Sequence, residues 1–254
     1  MTISPQNDPV LDRLVARLEG EEGCHTIILY GSRARGDAGP ESDYDLIAFR
    51  DRPGPRARET GLRYGALLDV FIYPAERLAE PVADMLHLRG GQALRDRDGR
   101  GAAFLARVDE VLAAGPDPLP ADEIAARRNW AWKMLDRAAR GDLEGHFRRA
   151  WLLTQQLEDF FVLRNAWYLG SKAALSVLRA EHPAVYAALE RALAPAASLA
   201  EIEALVLAVN GPRPGCAMAS SARSKPTPIR FLSQSVGQPR PRASRHPWGV
   251  SYRR

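Results

Sequence analysis

The chain has 254 residues, with 35 Lys and Arg against 31 Asp and Glu, 46% apolar and 26% charged residues, and two cysteines. That balance is ordinary for one large or two modest globular domains, and no apolar run reaches the roughly 18–20 residues a membrane span requires. Cys24 and Cys216 are too few for a disulfide scaffold and lack metal-binding spacing, and Asp8, Asp12 and Glu19 stand where a leader would be basic and then apolar, so a cytoplasmic protein is expected.

In chain order, residues 8–20 read as a helix, with Val10, Leu11, Leu14, Val15 and Leu18 on one stripe and Asn7 or Asp8 as cap. Three strands follow, over 26–30, 44–49 and 67–73, separated by Pro, Gly and Arg clusters. From about Pro120 the strand pattern gives way to helical periodicity over 121–140, 144–168, 171–181, 184–193 and 198–209. Trp151, Leu152, Leu157, Phe160, Phe161 and Leu163 form the wide apolar face of a helix central to a bundle. Trp130, Trp132 and Trp167 are expected in the same core.

Residues 211–254 hold nine Lys or Arg, no Asp or Glu, seven Pro and seven Ser. So biased a composition is expected to be disordered. Residues 1–210 then carry 26 basic and 31 acidic side chains, a net of −5. With an acidic body and no aromatic spacing in the tail, nucleic acid is not the expected partner.

The chemistry concentrates in Gly31-Ser32, ten residues, and then Asp43-Tyr44-Asp45. A strand ending at Tyr30 and turning into a short helix would aim backbone N–H groups and the Ser32 hydroxyl outward, which suits phosphate. Asp43 and Asp45 are two apart at the start of the next strand, so both carboxylates point to one face while Tyr44 and Leu46 point to the other. Paired carboxylates repel unless a cation lies between them, and Mg²⁺ takes oxygen ligands together with substrate phosphates. Asp69 interrupts an apolar strand, where a charge needs a metal or a partner such as Arg63.

This pattern resembles the nucleotidyltransferase superfamily of DNA polymerase β, in its minimal and kanamycin nucleotidyltransferase-like branch, over residues 25–73. The resemblance implies an α+β domain with a mixed sheet over residues 1–115, followed by an all-α helical bundle over 116–210 and the disordered tail over 211–254. It implies that Asp43, Asp45 and Asp69 bind two Mg²⁺ ions and carry catalysis, that Gly31 and Ser32 hold phosphates, and that Arg33 and Arg35 flank them. The implied reaction is in-line attack of a hydroxyl on the α-phosphorus of a nucleoside triphosphate, ATP above all, with release of pyrophosphate.

Some relatives draw an acid from the helical domain, and Glu158, beside Asp159 on the most apolar helix, is the acceptor-side candidate. Lys172, in a chain with only three lysines, is a second. The expected acceptor is a small hydroxyl-bearing molecule resembling an aminoglycoside. A protein hydroxyl, as in antitoxin-like relatives, and a non-catalytic nucleotide- or toxin-binding module are the alternatives, and an oligomer is possible.

Overall fold

In this computed structural model the described residues are 8–52 and 56–214; the expected disordered tail beyond 214, and Cys216 with it, lie outside them. The chain divides into two units, the first reaching Ala114 and the second beginning at Gly115. Among the described residues no helix is long and apolar enough to cross a membrane.

The first unit opens with α1 (Pro9–Gly20), whose buried stripe is Leu11, Leu14, Val15 and Leu18. Asp8 caps it. Its Oδ1 accepts from the backbone N–H groups of Val10 (3.0 Å) and Leu11 (3.3 Å), and its Oδ2 accepts from the Tyr44 hydroxyl at 2.7 Å. One side chain thus starts the helix and ties it to the sheet.

Five strands follow: β1 (Cys24–Tyr30), β2 (Tyr44–Arg50), β3 (Ala57–Arg63), β4 (Ala66–Pro74) and β5 (Gln92–Asp96). They lie in the order β3-β4-β2-β1-β5, with β2 and β4 parallel and the other pairs antiparallel. The sheet is mixed and the unit is α+β. A two-residue turn at Tyr64 and Gly65, both with positive φ (55° and 76°), joins β3 to β4, the backbone that fits the twist of a tight hairpin. A five-residue helix, α2 (Gly31–Arg35), follows β1, and α3 (Arg100–Ala114) follows β5.

Alternation sorts the strand side chains into two faces. Ile27, Leu29, Leu46, Ala48, Leu68, Val70 and Ile72 pack against the α1 stripe. Ile28, Ile47, Phe49, Phe71 and Tyr73 occupy the other face, where Phe104 of α3 meets Phe49 edge to face at 5.5 Å. Cys24 lies buried and unbridged, its thiol pushed up to about 11 chiefly by burial, which makes it unreactive.

Three elements were not expected: β3 and β5, whose mostly exposed residues break the alternating apolar signal, and α3. The helix expected over 144–168 stops at Val162, because Asn165 adopts φ 56° and the Ala166 N–H bonds back to the Phe161 carbonyl at 3.0 Å, a left-handed helix end.

The second unit is all-helical: α4 (Ala121–Ala138), α5 (Leu143–Val162), α6 (Ser171–Glu181), α7 (Pro183–Leu193) and α8 (Leu199–Asn210). Its core joins Trp132, Leu152, Phe160, Phe161, Leu178, Leu189, Ile202 and Val206, with Trp130 packed against it. Trp151 is partly exposed and meets Trp130 edge to face.

Asp8→Ala removes a helix cap and leaves the buried Tyr44 hydroxyl without its acceptor. It should cost about 1–3 kcal/mol of stability, readable from urea unfolding of the purified protein.

Candidate active site

Four residues stand in a row across the sheet: Tyr30 on β1 pairs with Asp45 on β2, Asp45 with Asp69 on β4, and Asp69 with Thr60 on β3. Directly paired residues on neighbouring strands project to the same face, so the Asp45 and Asp69 carboxylates share the face opposite α1. Asp43 lies exposed just before β2 begins and still raises the pKa of Asp45 by its charge.

Gly31 closes the row from above. It opens α2 with φ 71°, and a Cβ added there would lie 2.0 Å from Asp45 Oδ2. Only glycine permits both the left-handed backbone and that approach. The Asp45 carboxylate therefore lies against bare backbone at the start of α2, where the first N–H groups of a helix turn are left for an anion. Ser32 follows, partly exposed, and the left-handed Gly36 ends the turn with its N–H bonded to the Ser32 carbonyl. Gln92 Nε2 donates to the Ala34 carbonyl at 2.5 Å and so pins α2 to β5.

Burial, then the charges of Asp43 and Asp69, push the Asp45 carboxyl up to about 6, with Arg35 and Arg33 partly offsetting them. Burial, then the charges of Asp45 and Asp69, also push the Tyr30 hydroxyl upward. Negative charge is thus concentrated beyond what the nearby side chains neutralise.

The two arginines of α2 diverge. Arg33 donates to the carbonyls of Ser42 (2.6 and 3.2 Å) and Asp43 (3.1 Å) and stacks 3.7 Å over the Tyr44 ring. Those bonds hold the loop that delivers Asp43. Arg35 lies 3.6 Å from Asp37, near Arg89, whose pKa is lowered by burial and by the Arg35 charge.

Asp69 has a partner, but not Arg63. Arg58 grips it with a two-pronged bond, Nε to Oδ1 and Nη2 to Oδ2, both 2.9 Å. Alternation explains the exchange: Arg63 shares the opposite face of β3 with Glu59, to which it bonds, whereas Arg58 shares the face of Asp69. Among the described residues no three acidic, thiol or imidazole side chains converge as a ready ligand set. The donor chemistry nonetheless fits a hard divalent cation: three carboxylates around one row, one of them resting against backbone that a Cβ would fill.

In the second unit, Glu158 is half-buried, and the carboxylate that enters the core of α5 is its neighbour Asp159. Asp159 Oδ1 accepts from Arg127 Nη1 at 2.9 Å and Gln155 Nε2 at 3.3 Å, while burial raises its pKa. Lys172 is exposed in the first turn of α6. Arg58, Tyr30 and His87, which meets Tyr30 edge to face at 5.3 Å, escaped the sequence reading; only the pairing of β1, β3 and β4 reveals them.

A short helical turn opened by Gly31 thus lies beside a row of carboxylates on a mixed sheet. Residues 11–85, from within α1 past the end of β4, match the family model of the nucleotidyltransferase domain. Residues 11–85 of the first unit are thus similar to a nucleotidyltransferase domain, a match that supports a transferase of the nucleotidyltransferase type. A solved structure, a nucleotidyltransferase-like protein from Exiguobacterium sibiricum 255-15, is similar with a TM-score of 0.42 and 11% identity, over 78% of this chain and 73% of that one. No curated protein matches the chain in sequence.

Gly31→Ala should rotate the Asp45 carboxylate away or shift α2, lowering turnover by about a hundredfold or more at a stability cost of about 1–2 kcal/mol. Parallel assays and melts would separate the two effects. A carboxyl whose pKa is higher in the folded than in the unfolded chain favours folding when protonated, and that contribution is lost as pH rises through its folded pKa, here about 6. With chelator present, Asp45→Asn should therefore melt a few degrees above wild type at about pH 8, and the gap should close towards about pH 4.

Proposed function

We propose that the protein transfers a nucleoside monophosphate, AMP from ATP, to a hydroxyl group in a Mg²⁺-dependent reaction that releases pyrophosphate. The observation that carries this reading is the Asp45 carboxylate, packed against Gly31 and raised to about 6 by burial and by Asp43 and Asp69. Such a cluster is poised to accept a cation together with phosphate oxygens.

Asp43 and Asp45 would hold Mg²⁺, with Asp69 as the third carboxylate. When bound, the metal neutralises charge on the triphosphate and on the departing pyrophosphate. Gly31 and Ser32 offer backbone N–H groups and a hydroxyl to the β- and γ-phosphates, and Arg35 adds positive charge on that side. Arg33 keeps Asp43 in register by anchoring the loop carbonyls of residues 42 and 43. Asp69 faces the same side as Asp45 and would take the proton of the acceptor hydroxyl as it attacks the α-phosphorus in line. Glu158 and Lys172 remain acceptor-side candidates on the helical unit.

The net charge of −5 over residues 1–210 favours a cationic small acceptor of the aminoglycoside kind. A protein hydroxyl is the second reading, favoured by the exposure of Asp43 and Arg58 at the edge of the site.

Pyrophosphate release from Mg²⁺-ATP should appear with one acceptor class, from a panel of aminoglycosides and of lysate proteins. Asp43→Asn and Asp45→Asn should each lower it by more than about a hundredfold while the circular dichroism spectrum is kept. Normal turnover in either variant would refute the assignment.

A further inference from the structure

The two-pronged bond between Arg58 and Asp69 engages both oxygens of the third carboxylate. A guanidinium fork matches carboxylate geometry and carries a full positive charge, so Arg58 engages the same two oxygens of Asp69 that a divalent cation would use. Two cations beside one carboxylate repel, so Arg58 and a divalent cation compete for Asp69 even though each oxygen keeps a second lone pair.

Arg58 is also built to let go. It projects from β3, a strand at the edge of the sheet, and its side chain is 55% exposed against 22% for Asp69. No packing void would follow its departure. Its guanidinium carbon already lies 4.8 Å from the Phe71 ring centroid, beside Arg56 at 4.5 Å from the same centroid, so this contact does not depend on the bond to Asp69. The diagonal placement of Arg58 relative to Asp69 sets its reach: Thr60 is directly opposite Asp69, and Arg58 is two residues further along the same face.

We propose that Arg58 is a positioning residue that acts as a displaceable resident cation: it holds Asp69 aligned in the metal-free protein and must release it before a divalent cation joins Asp69 to Asp45. Arg58 thereby weakens binding of metal alone and couples site assembly to its own release from Asp69. The inference rests on the metal-dependent reading above.

Binding of Mn²⁺ to the full chain without nucleotide, followed by electron paramagnetic resonance, tests it without turnover. Arg58→Gln, which keeps a polar side chain but removes the charge and the fork, should bind Mn²⁺ about three- to tenfold tighter than wild type. Arg58→Lys, a point charge without the fork, should fall between. In the wild type, the Arg58 Nε–H resonance should move towards that of a solvated arginine as Mg²⁺ is added. Unchanged or weaker Mn²⁺ binding in Arg58→Gln, or an Nε–H signal indifferent to Mg²⁺, would overturn the inference. Should Mn²⁺ bind wild type and be lost in Asp45→Asn while Arg58→Gln changes nothing, this inference fails and the metal reading stands. Absence of Mn²⁺ binding in wild type and Arg58→Gln alike would remove both.

Discussion

The carboxylate of Asp45 lies against the bare Cα of Gly31, where a Cβ would approach Oδ2 to 2.0 Å. That contact requires glycine at the first position of α2, a left-handed φ at that glycine, and β1 and β2 paired so that Tyr30 is opposite Asp45. The rest of the site follows from it. With Asp45 fixed, the parallel pairing of β2 and β4 puts Asp69 beside it, and the loop anchored by Arg33 brings in Asp43. Burying that much like charge is unfavourable for the isolated fold, and the raised Asp45 pKa records the cost. A site strained in this way gains by binding cations.

Arginines manage this charge, each by a different route. Arg33 donates to backbone carbonyls, Arg58 to the Asp69 carboxylate, and Arg35 lies near Asp37. The geometry of the guanidinium decides these roles, since a planar fork can bridge two acceptors or stack on Tyr44 and Phe71 where an ammonium could not. The same residue type thus organises a loop and neutralises a carboxylate within one small region.

Much of this was legible in the sequence because short-range rules governed it. The Gly-Ser turn, the two-residue spacing of Asp43 and Asp45 and the apolar strand around Asp69 each carry a local signature, and α1 and α6 begin and end within a residue or two of expectation. What escaped depended on pairing. β3 is a polar edge strand with almost no buried residue, so its register, and with it the identity of Arg58 as partner of Asp69, had no local signal. The choice between Glu158 and Asp159 likewise turned on the rotation of α5 about its axis, which a mostly apolar helix leaves ambiguous. Helix α3 was different. Phe104 and Val108 are four apart on a buried stripe, a readable pattern in a segment left unassigned between the last strand and Pro120.

The most direct measurement is the change in melting temperature when Mg²⁺ is added at about pH 8, for wild type and Asp45→Asn side by side. If the carboxylate row exists to hold a cation, Mg²⁺ raises the melting temperature of the wild type and leaves that of Asp45→Asn unchanged. No rise in the wild type, or the same rise in both proteins, would contradict the account.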